Sequence, residues 1–507
     1  MDGSAVVGWR VVGAGLWVGA VLVPLVGLLI ALATGPGPQA GWWFTSRQLV
    51  LLGKTAGLAG VATVVTFLVA LPTVRGLGWV GGRGRDRWVW LILGLALLLP
   101  PYVYAFGWDG LIAPRLTAWL GSWAGMVRTV WVWAGWSWPI PALFLTAGWV
   151  RVGHGAYRAA LLEANPRTAF RRAVLPILAG HGAAAMVVLW VLFMIEYNVP
   201  HACSIQVFAT ELLAWGQSSR HAVDVVYPAV PLLVVMVAAG GCGLIVWRGS
   251  AGGDDQQDPP PAEVGVGRWR SLWPVVAVLA LTMGTPFCGL AVRLASWTSF
   301  VALWQVYGGE LAESIAIAAA SGVAVVWLGT WLAGEDRWVR VRGAATVTTI
   351  LFGLMPAGLV GEAMVVAYRH VGVIYDQWPV MVLTQTARWG WIGWVAGWLI
   401  KRSTPTGLID QARTDGAGRA AAGMMIGWRH HWPILAAAAA LAAAMCLAEV
   451  AAMSMVRPPG VGWMAMTLME KFHRFEDQML VTISFVLALA PVPAVVLGWL
   501  AWRVRGA

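Results

Sequence analysis

One apolar run after another in this chain is long enough to cross a bilayer, and that repetition restricts its folds more than any motif does. A hydrocarbon core about 30 Å thick is crossed by roughly 20 helical residues. Twelve runs reach or approach that length, near residues 11–33, 47–72, 88–107, 126–150, 177–199, 222–247, 272–294, 309–333, 343–367, 377–400, 433–455 and 477–502. Inside lipid every backbone N–H and C=O must find a partner within the protein, which leaves helices or a closed barrel. The short alternating strands of a barrel are not seen. With 59% hydrophobic and 11% charged residues, the composition lies outside the soluble range. The reading is an all-α integral membrane protein of about twelve transmembrane helices. The first run is longer than a signal-peptide core and lacks a small-residue cleavage site, so it is read as a retained helix.

One stretch breaks the pattern. Residues 248–270, "RGSAGGDDQQDPPPAEVGVGRWR", are polar and rich in Gly and Pro, and cannot be a membrane helix. They divide the chain into a first repeat of six spans, 1–247, and a second of six spans, 271–507. Basic residues are retained on the cytoplasmic side of short loops. The loops near 75–87, 151–172, 337–342 and 401–429, the linker and the tail with Arg503 and Arg505 carry them, alternating with less basic connections. Both termini are therefore expected in the cytoplasm. The net charge of +11 is mostly this sorting signal together with attraction to the lipid bilayer, and no nucleic-acid partner is expected.

The halves also read as copies. Glu163 and Gly416 are 253 residues apart, as are Glu196 and Glu449, while Pro100 and Pro356 are separated by 256. Because each half has an even number of spans, both enter and leave on the same side, which makes a parallel repeat.

The two basic loops near 151–176 and 401–432 carry a resemblance. The second, "DQARTDGAGR", resembles the signature loop of ATP-binding-cassette (ABC) importer permeases: an acidic residue and alanine, then a glycine, leading to an apolar stretch. The first keeps the later part of that loop, "NPRTAFRRAVLP", with Glu163 where the family has its glycine. Residues 447–481, "LAEVAAMSMVRPPGVGWMAMTLMEKFHRFEDQMLV", look like the region after the loop in fused, binding-protein-dependent permeases of the ferric-iron and thiamine type. The resemblance implies a type I importer permease fold, multi-pass in a bacterial cell inner membrane. It implies two copies of a separate ABC ATPase below and a solute-binding protein above. ATP and magnesium would be bound by the partner, with no cofactor on this chain and no catalysis by it. Ferric iron is the favoured cargo, with thiamine, a polyamine or an oxyanion behind it. Glu163, Ala164, Asn165, Pro166, Arg167, Arg171 and Arg172 in the first loop, and Asp410, Ala412, Asp415, Gly416 and Arg419 in the second, would form the coupling helices that meet the ATPase.

Other chemistry is sparse. Gly53-Lys54-Thr55 ends like a phosphate-binding loop, but Gln48 stands where its first glycine belongs and no strand precedes it. Lys54 either snorkels to the interface or faces a path. Cys203, Cys242, Cys288 and Cys446 are scattered, and His430-His431 lacks further ligands, so no metal site or disulfide framework is expected. The 35 tryptophans suit interfacial belts. Glu196, Glu313, Glu362 and Glu449 lie near the outer ends of their spans, where they either line a cation path or bond to neighbouring helices. Through such carboxylates a twelve-span secondary transporter, driven by an ion gradient, is the alternative reading. A membrane enzyme would need clustered His, Asp or Cys, and none is found.

Overall fold

The computed structural model describes residues 3–36, 45–81, 88–152, 154–218, 221–250, 268–294, 296–334, 339–404, 406–416 and 419–505. Among these residues all regular structure is helical. Most of the expected linker, residues 251–267, lies outside them, as do parts of two basic loops at 82–87 and 335–338.

The first half runs α1 (Gly3–Trp17), a π turn (Val18–Leu22), α2 (Val23–Thr34), α3 (Ser46–Gly81), α4 (Trp88–Leu98), α5 (Pro101–Leu120), α6 (Ala124–Ser137) and α7 (Pro139–Val152). Two short helices follow, α8 (His154–Glu163) and α9 (Pro166–Ala169), then a π turn (Phe170–Val174), α10 (Leu175–Ile195), α11 (Asn198–Ala202), α12 (Phe208–Ser218) and α13 (Val223–Ser250). The second half begins with α14 (Arg268–Leu279), a π turn (Ala280–Gly284), α15 (Thr285–Arg293), α16 (Thr298–Leu332), α17 (Val339–Leu354), α18 (Ala357–Tyr368), α19 (Gly372–Tyr375) and α20 (Pro379–Ser403). It ends with α21 (Thr406–Thr414), α22 (Arg419–Leu447), α23 (Met453–Val456), α24 (Met464–His473), α25 (Asp477–Leu489) and α26 (Val492–Arg505).

Six of the described helices are long and apolar enough to cross a membrane, or up to eight if each of two bent pairs is one crossing. The chain is thus an all-α protein with several membrane-competent helices. Prolines shape the remainder. The run 126–150 is interrupted ahead of Pro139, and 477–502 is interrupted around Pro491, because proline offers no N–H to the preceding turn and its ring crowds the carbonyl four residues back. The runs 88–107 and 343–367 are sharply bent, by 84° between α4 and α5 and by 118° between α17 and α18. Pro100 and Pro356 sit at these bends in nearly the same extended conformation, ψ 128° and 137°.

The chain forms two compact units. Unit 1 takes in Met1–Trp43, Glu211–Pro228 and Leu294–Ala507, and unit 2 takes in Phe44–Thr210 and Ala229–Arg293. The first helices of the two halves are thereby exchanged: α1 and α2 belong with the second half, and α14 and α15 with the first.

In unit 1 the centre is the crossing of α16, α20 and α22. A Cβ on Gly393 would overlap the Val325 carbonyl, and one on Gly329 would overlap the Gly393 backbone. Gly322 meets the Ala439 carbonyl in the same way. Backbones that approach this closely gain dispersion contact, which drives helix association where lipid is as apolar as leucine. Against α16 packs α1, with Trp9 beside Leu328, Trp331 and Leu332. Trp327 Nε1 donates to the Trp9 carbonyl (3.1 Å), and Tyr368 on α18 donates to the Gly19 carbonyl (2.5 Å). In unit 2, α14 joins α3, α4 and α7 in a cluster containing Ala70, Leu77, Leu93, Trp138, Val275 and Leu279. Trp138 Nε1 donates to Thr282 Oγ1 (2.9 Å), and a Cβ on Gly289 of α15 would overlap the Gly107 carbonyl of α5.

The exchanged helices share a local design. Each has a five-residue π turn, Val18–Leu22 or Ala280–Gly284, followed by a proline, Pro24 or Pro286, and then a glycine, Gly27 or Gly289. All three features recur at a separation of 262 residues. The proline explains the turn, since a π turn shifts the carbonyls out of register just where the proline has no N–H to donate. The glycine faces the helix beyond a bend: Gly27 meets Ala367 near α18, and Gly289 meets Gly107 on α5.

Candidate functional site

Two kinds of feature stand apart from the packed cores: short helices between long ones, and polar groups at helix breaks inside apolar segments.

The first short pair lies in unit 2. Asn165 ends the extended break after α8, and its Oδ1 accepts the Thr168 N–H (2.9 Å), so Asn165 is the N-cap of α9 with Pro166 at the first helical position. Asn-Pro starts a helix well because the cap supplies an acceptor for an orphan N–H and proline needs no partner there. Glu163, Asn165, Arg167, Arg171 and Arg172 are exposed, and Ala164 is half-buried. On α8, Leu162 is 90% exposed and Leu161 is exposed beside it. In unit 1, α21 presents Leu408 (39% exposed) with Asp410, while Ala412 is half-buried. Asp415 and Gly416 follow in a turn. Gly416 has φ +86°, a left-handed conformation that glycine adopts without penalty, and open space lies where its Cβ would be. Arg419 opens α22, its side chain outside the described residues.

The membrane carboxylates separate into different environments. Glu196 ends α10 in unit 2, with its backbone extended (ψ 126°). Its carboxylate accepts the N–H groups of Asn198 (2.7 Å) and Val199 (3.0 Å) and Trp133 Nε1 (2.9 Å). Glu449 holds the corresponding place after α22 in unit 1. It accepts the Ala452 N–H (3.3 Å), and its Oε2 lies 3.5 Å from Arg388 Nε. Arg388 in turn donates through Nη1 to the carbonyls of Gly353 (3.1 Å) and Met355, which the break at Pro356 has freed from α17. At the bend in unit 2 the same task falls to neutral groups, Tyr104 Oη on the Ala96 carbonyl (2.8 Å) and Trp136 Nε1 on the Leu97 carbonyl (3.1 Å). Broken helices in lipid are tolerated when neighbours satisfy the freed groups, and both bends meet that condition.

Glu313 accepts the Gly462 N–H (2.8 Å). Together with Glu310, which takes the Trp463 N–H (3.1 Å), and Ser314, which takes the Met464 N–H (2.9 Å), it caps α24 from the neighbouring α16. Glu362 on α18 is buried, has Asp224 and Arg369 as charged neighbours, and accepts no hydrogen bond among the described residues. The structure therefore joins Glu449 to Arg388, gives Glu196 to Trp133, assigns Glu313 to a helix start and sets Glu362 near Asp224 and Arg369.

Other polar residues have local roles. Thr55, of Gly53-Lys54-Thr55, is buried within α3 and accepts the Phe208 N–H (2.9 Å), while Lys54 is exposed. Unit 2 holds a cavity of about 270 Å³ with Arg128 on its wall. The guanidinium is engaged by Asp109 (2.5 Å) and the Ala202 carbonyl (3.0 Å). Sequence reasoning overlooked Arg388 although a signal was there, as it is the single charge in the run 377–400. Trp133 and Glu310 gave no such signal.

No family model, curated protein or solved structure matches this chain.

Proposed function

We propose that this chain is the permease subunit of an ABC importer, with twelve spans arranged as two parallel six-span repeats. In this reading it lies in a bacterial inner membrane with both termini in the cytoplasm. A solute-binding protein delivers a small solute, ferric iron favoured, from outside, and two copies of a separate ATPase supply the energy. One observation carries the reading: short helices between long ones, α8 with α9 and α21, present uncovered leucines, Leu162 and Leu408, among charged residues. A leucine so exposed on a charged helix is poorly placed in lipid and suits a partner's apolar groove, in the way an amphipathic helix docks. A rigid helix seated in such a groove passes on the partner's movement to the spans it joins. The proline bends, the paired π turns and the exchanged first helices support the repeat. Alternating access then follows as the two halves change which side is open.

A gradient-driven transporter is the second reading, favoured by Glu362, a buried carboxylate that accepts no hydrogen bond among the described residues.

Affinity purification of the tagged chain should bring down an ATP-hydrolysing subunit. Replacing Leu162 and Leu408 together with aspartate should lower that recovery by about thirtyfold or more, since central anchors of an interface are each worth about 2 kcal/mol. Arg171→Ala with Arg172→Ala should weaken recovery mainly at low salt, because exposed charges are screened. Gly416→Leu is a poorer probe, as it strains the turn at φ +86° whatever the partner does. Uptake driven by an ion gradient in liposomes holding this chain alone would overturn the proposal.

A further inference from the structure

The excursion that carries α21 leaves the membrane-facing helices at Thr404 and returns at His431. Both points are irregular. Thr404 ends α20 in an extended conformation (φ −81°, ψ 119°), and His431 is the one non-helical residue within α22 (φ −118°, ψ 16°). Pro433, two residues on, has no N–H for the carbonyl of residue 429 and crowds it, so the backbone ladder is weakest at this point. A side-chain hydrogen bond spans the gap. His431 Nε2 lies 3.1 Å from Thr404 Oγ1, and both residues are buried. The threonine hydroxyl donates to the Ile400 carbonyl (2.7 Å), so its oxygen is the acceptor and His431 carries its proton on Nε2. Immediately above, Ile400, Ala396, Leu435, Ala438 and Val326 form an apolar cluster that holds α20, α22 and α16 together. The other excursion differs, re-entering α10 through the continuous π turn Phe170–Val174.

We propose that the His431–Thr404 hydrogen bond is the positioning contact that fastens the α21 excursion to α20 and α22, so that a push on α21 moves both helices together. Without it, the two irregular backbone points would lose the buried side-chain contact between them. The role in transport rests on the permease reading; the fastening itself does not. His431 and Thr404 act through geometry and touch no solute.

Hydrogen–deuterium exchange on the purified full chain tests the fastening. Thr404→Val keeps the shape and removes the acceptor. It also removes the hydroxyl's bond to the Ile400 carbonyl, and it should speed exchange across 406–414 about tenfold or more while leaving 379–396 unchanged. Thr404→Ser, which keeps the hydroxyl, should behave like the parent. His431→Phe should speed exchange there too, and the two combined should do less than the sum of both, because they share the His431–Thr404 bond. If Thr404→Val is not recovered folded, His431→Phe against Thr404→Ser makes the same comparison. Unchanged exchange in the variants lacking the bond, equal effects of valine and serine, or additive effects would overturn the proposal. In the assembled complex Thr404→Val should retain the ATPase and its hydrolysis but lower solute uptake per ATP about tenfold. Normal uptake per ATP would overturn the transport role. If the parent brings down no ATPase, the permease reading fails, while the exchange experiment still decides whether the fastening exists.

Discussion

Cells expressing the chain with Gly393→Leu should yield no monodisperse protein after solubilisation, whereas Gly309→Ala should yield as much as the parent. Gly393 sits where α20 crosses α16, and a Cβ there would overlap backbone atoms of Val325 and Gly329 rather than the tip of a flexible side chain. Even alanine would force the helices apart, at a cost of about 1–3 kcal/mol, and leucine adds three heavy atoms to the same space. The displacement would spread, because Gly329 and Gly397 belong to the same crossing and Gly322, about two turns away on α16, packs against Ala439 of α22. Gly309 is also on α16 but has open space at its Cβ, so its replacement tests helix preference alone. Size-exclusion profiles and thermal melts of the two variants make the comparison.

Arg388→Leu should be the next most damaging change, lowering stability by about 3–5 kcal/mol, the usual cost of leaving one member of a buried ion pair alone. It removes the cation beside Glu449 and also the donor to the Gly353 and Met355 carbonyls. Combining it with Glu449→Leu should recover part of the loss by removing the stranded carboxylate. The freed carbonyls at the Pro356 bend would remain unsatisfied, so recovery should be incomplete. Trp133→Phe in unit 2 should cost less, since Glu196 keeps the N–H groups of Asn198 and Val199. Melting temperatures of the three variants rank these effects, and equal losses for Arg388→Leu and Trp133→Phe would show that Arg388 bears no special load.

Much of this was legible in the residues, and the reasons for the rest are physical. Apolar runs of sufficient length report helices because the bilayer leaves the backbone few alternatives, whereas the helix start at Asn165-Pro166, a matter of local capping chemistry, was open to the same reading and was not drawn. Pro100 and Pro356 could be matched because proline acts on its own backbone. The bends of 84° and 118°, by contrast, depend on Tyr104, Trp136 and Arg388 being close enough to satisfy the freed carbonyls, a tertiary matter. The exchange of α1–α2 with α14–α15 was hidden for the same reason: apolar surface records burial and not the identity of the neighbour. The recurrence in the first helices escaped notice because its separation of 262 differs from the 253 of the glutamates, and a single register misses one or the other. Glu313 read as a membrane charge until the N–H group it caps came into view, and Glu310 beside it was overlooked.

In the proposed permease, Leu162 and Leu408 are covered by an ATP-hydrolysing partner. A cysteine placed at either position, in a chain whose natural cysteines Cys203, Cys242, Cys288 and Cys446 have been replaced, can be cross-linked in native membranes with a short bifunctional thiol reagent and the adduct identified by mass. The account predicts that both positions capture the same ATP-hydrolysing polypeptide, and that cysteines at exposed residues on the lipid-facing part of α3, such as Val61 or Leu68, do not. Failure of both positions to capture such a polypeptide, while the same membranes take up solute on an imposed ion gradient, would contradict it.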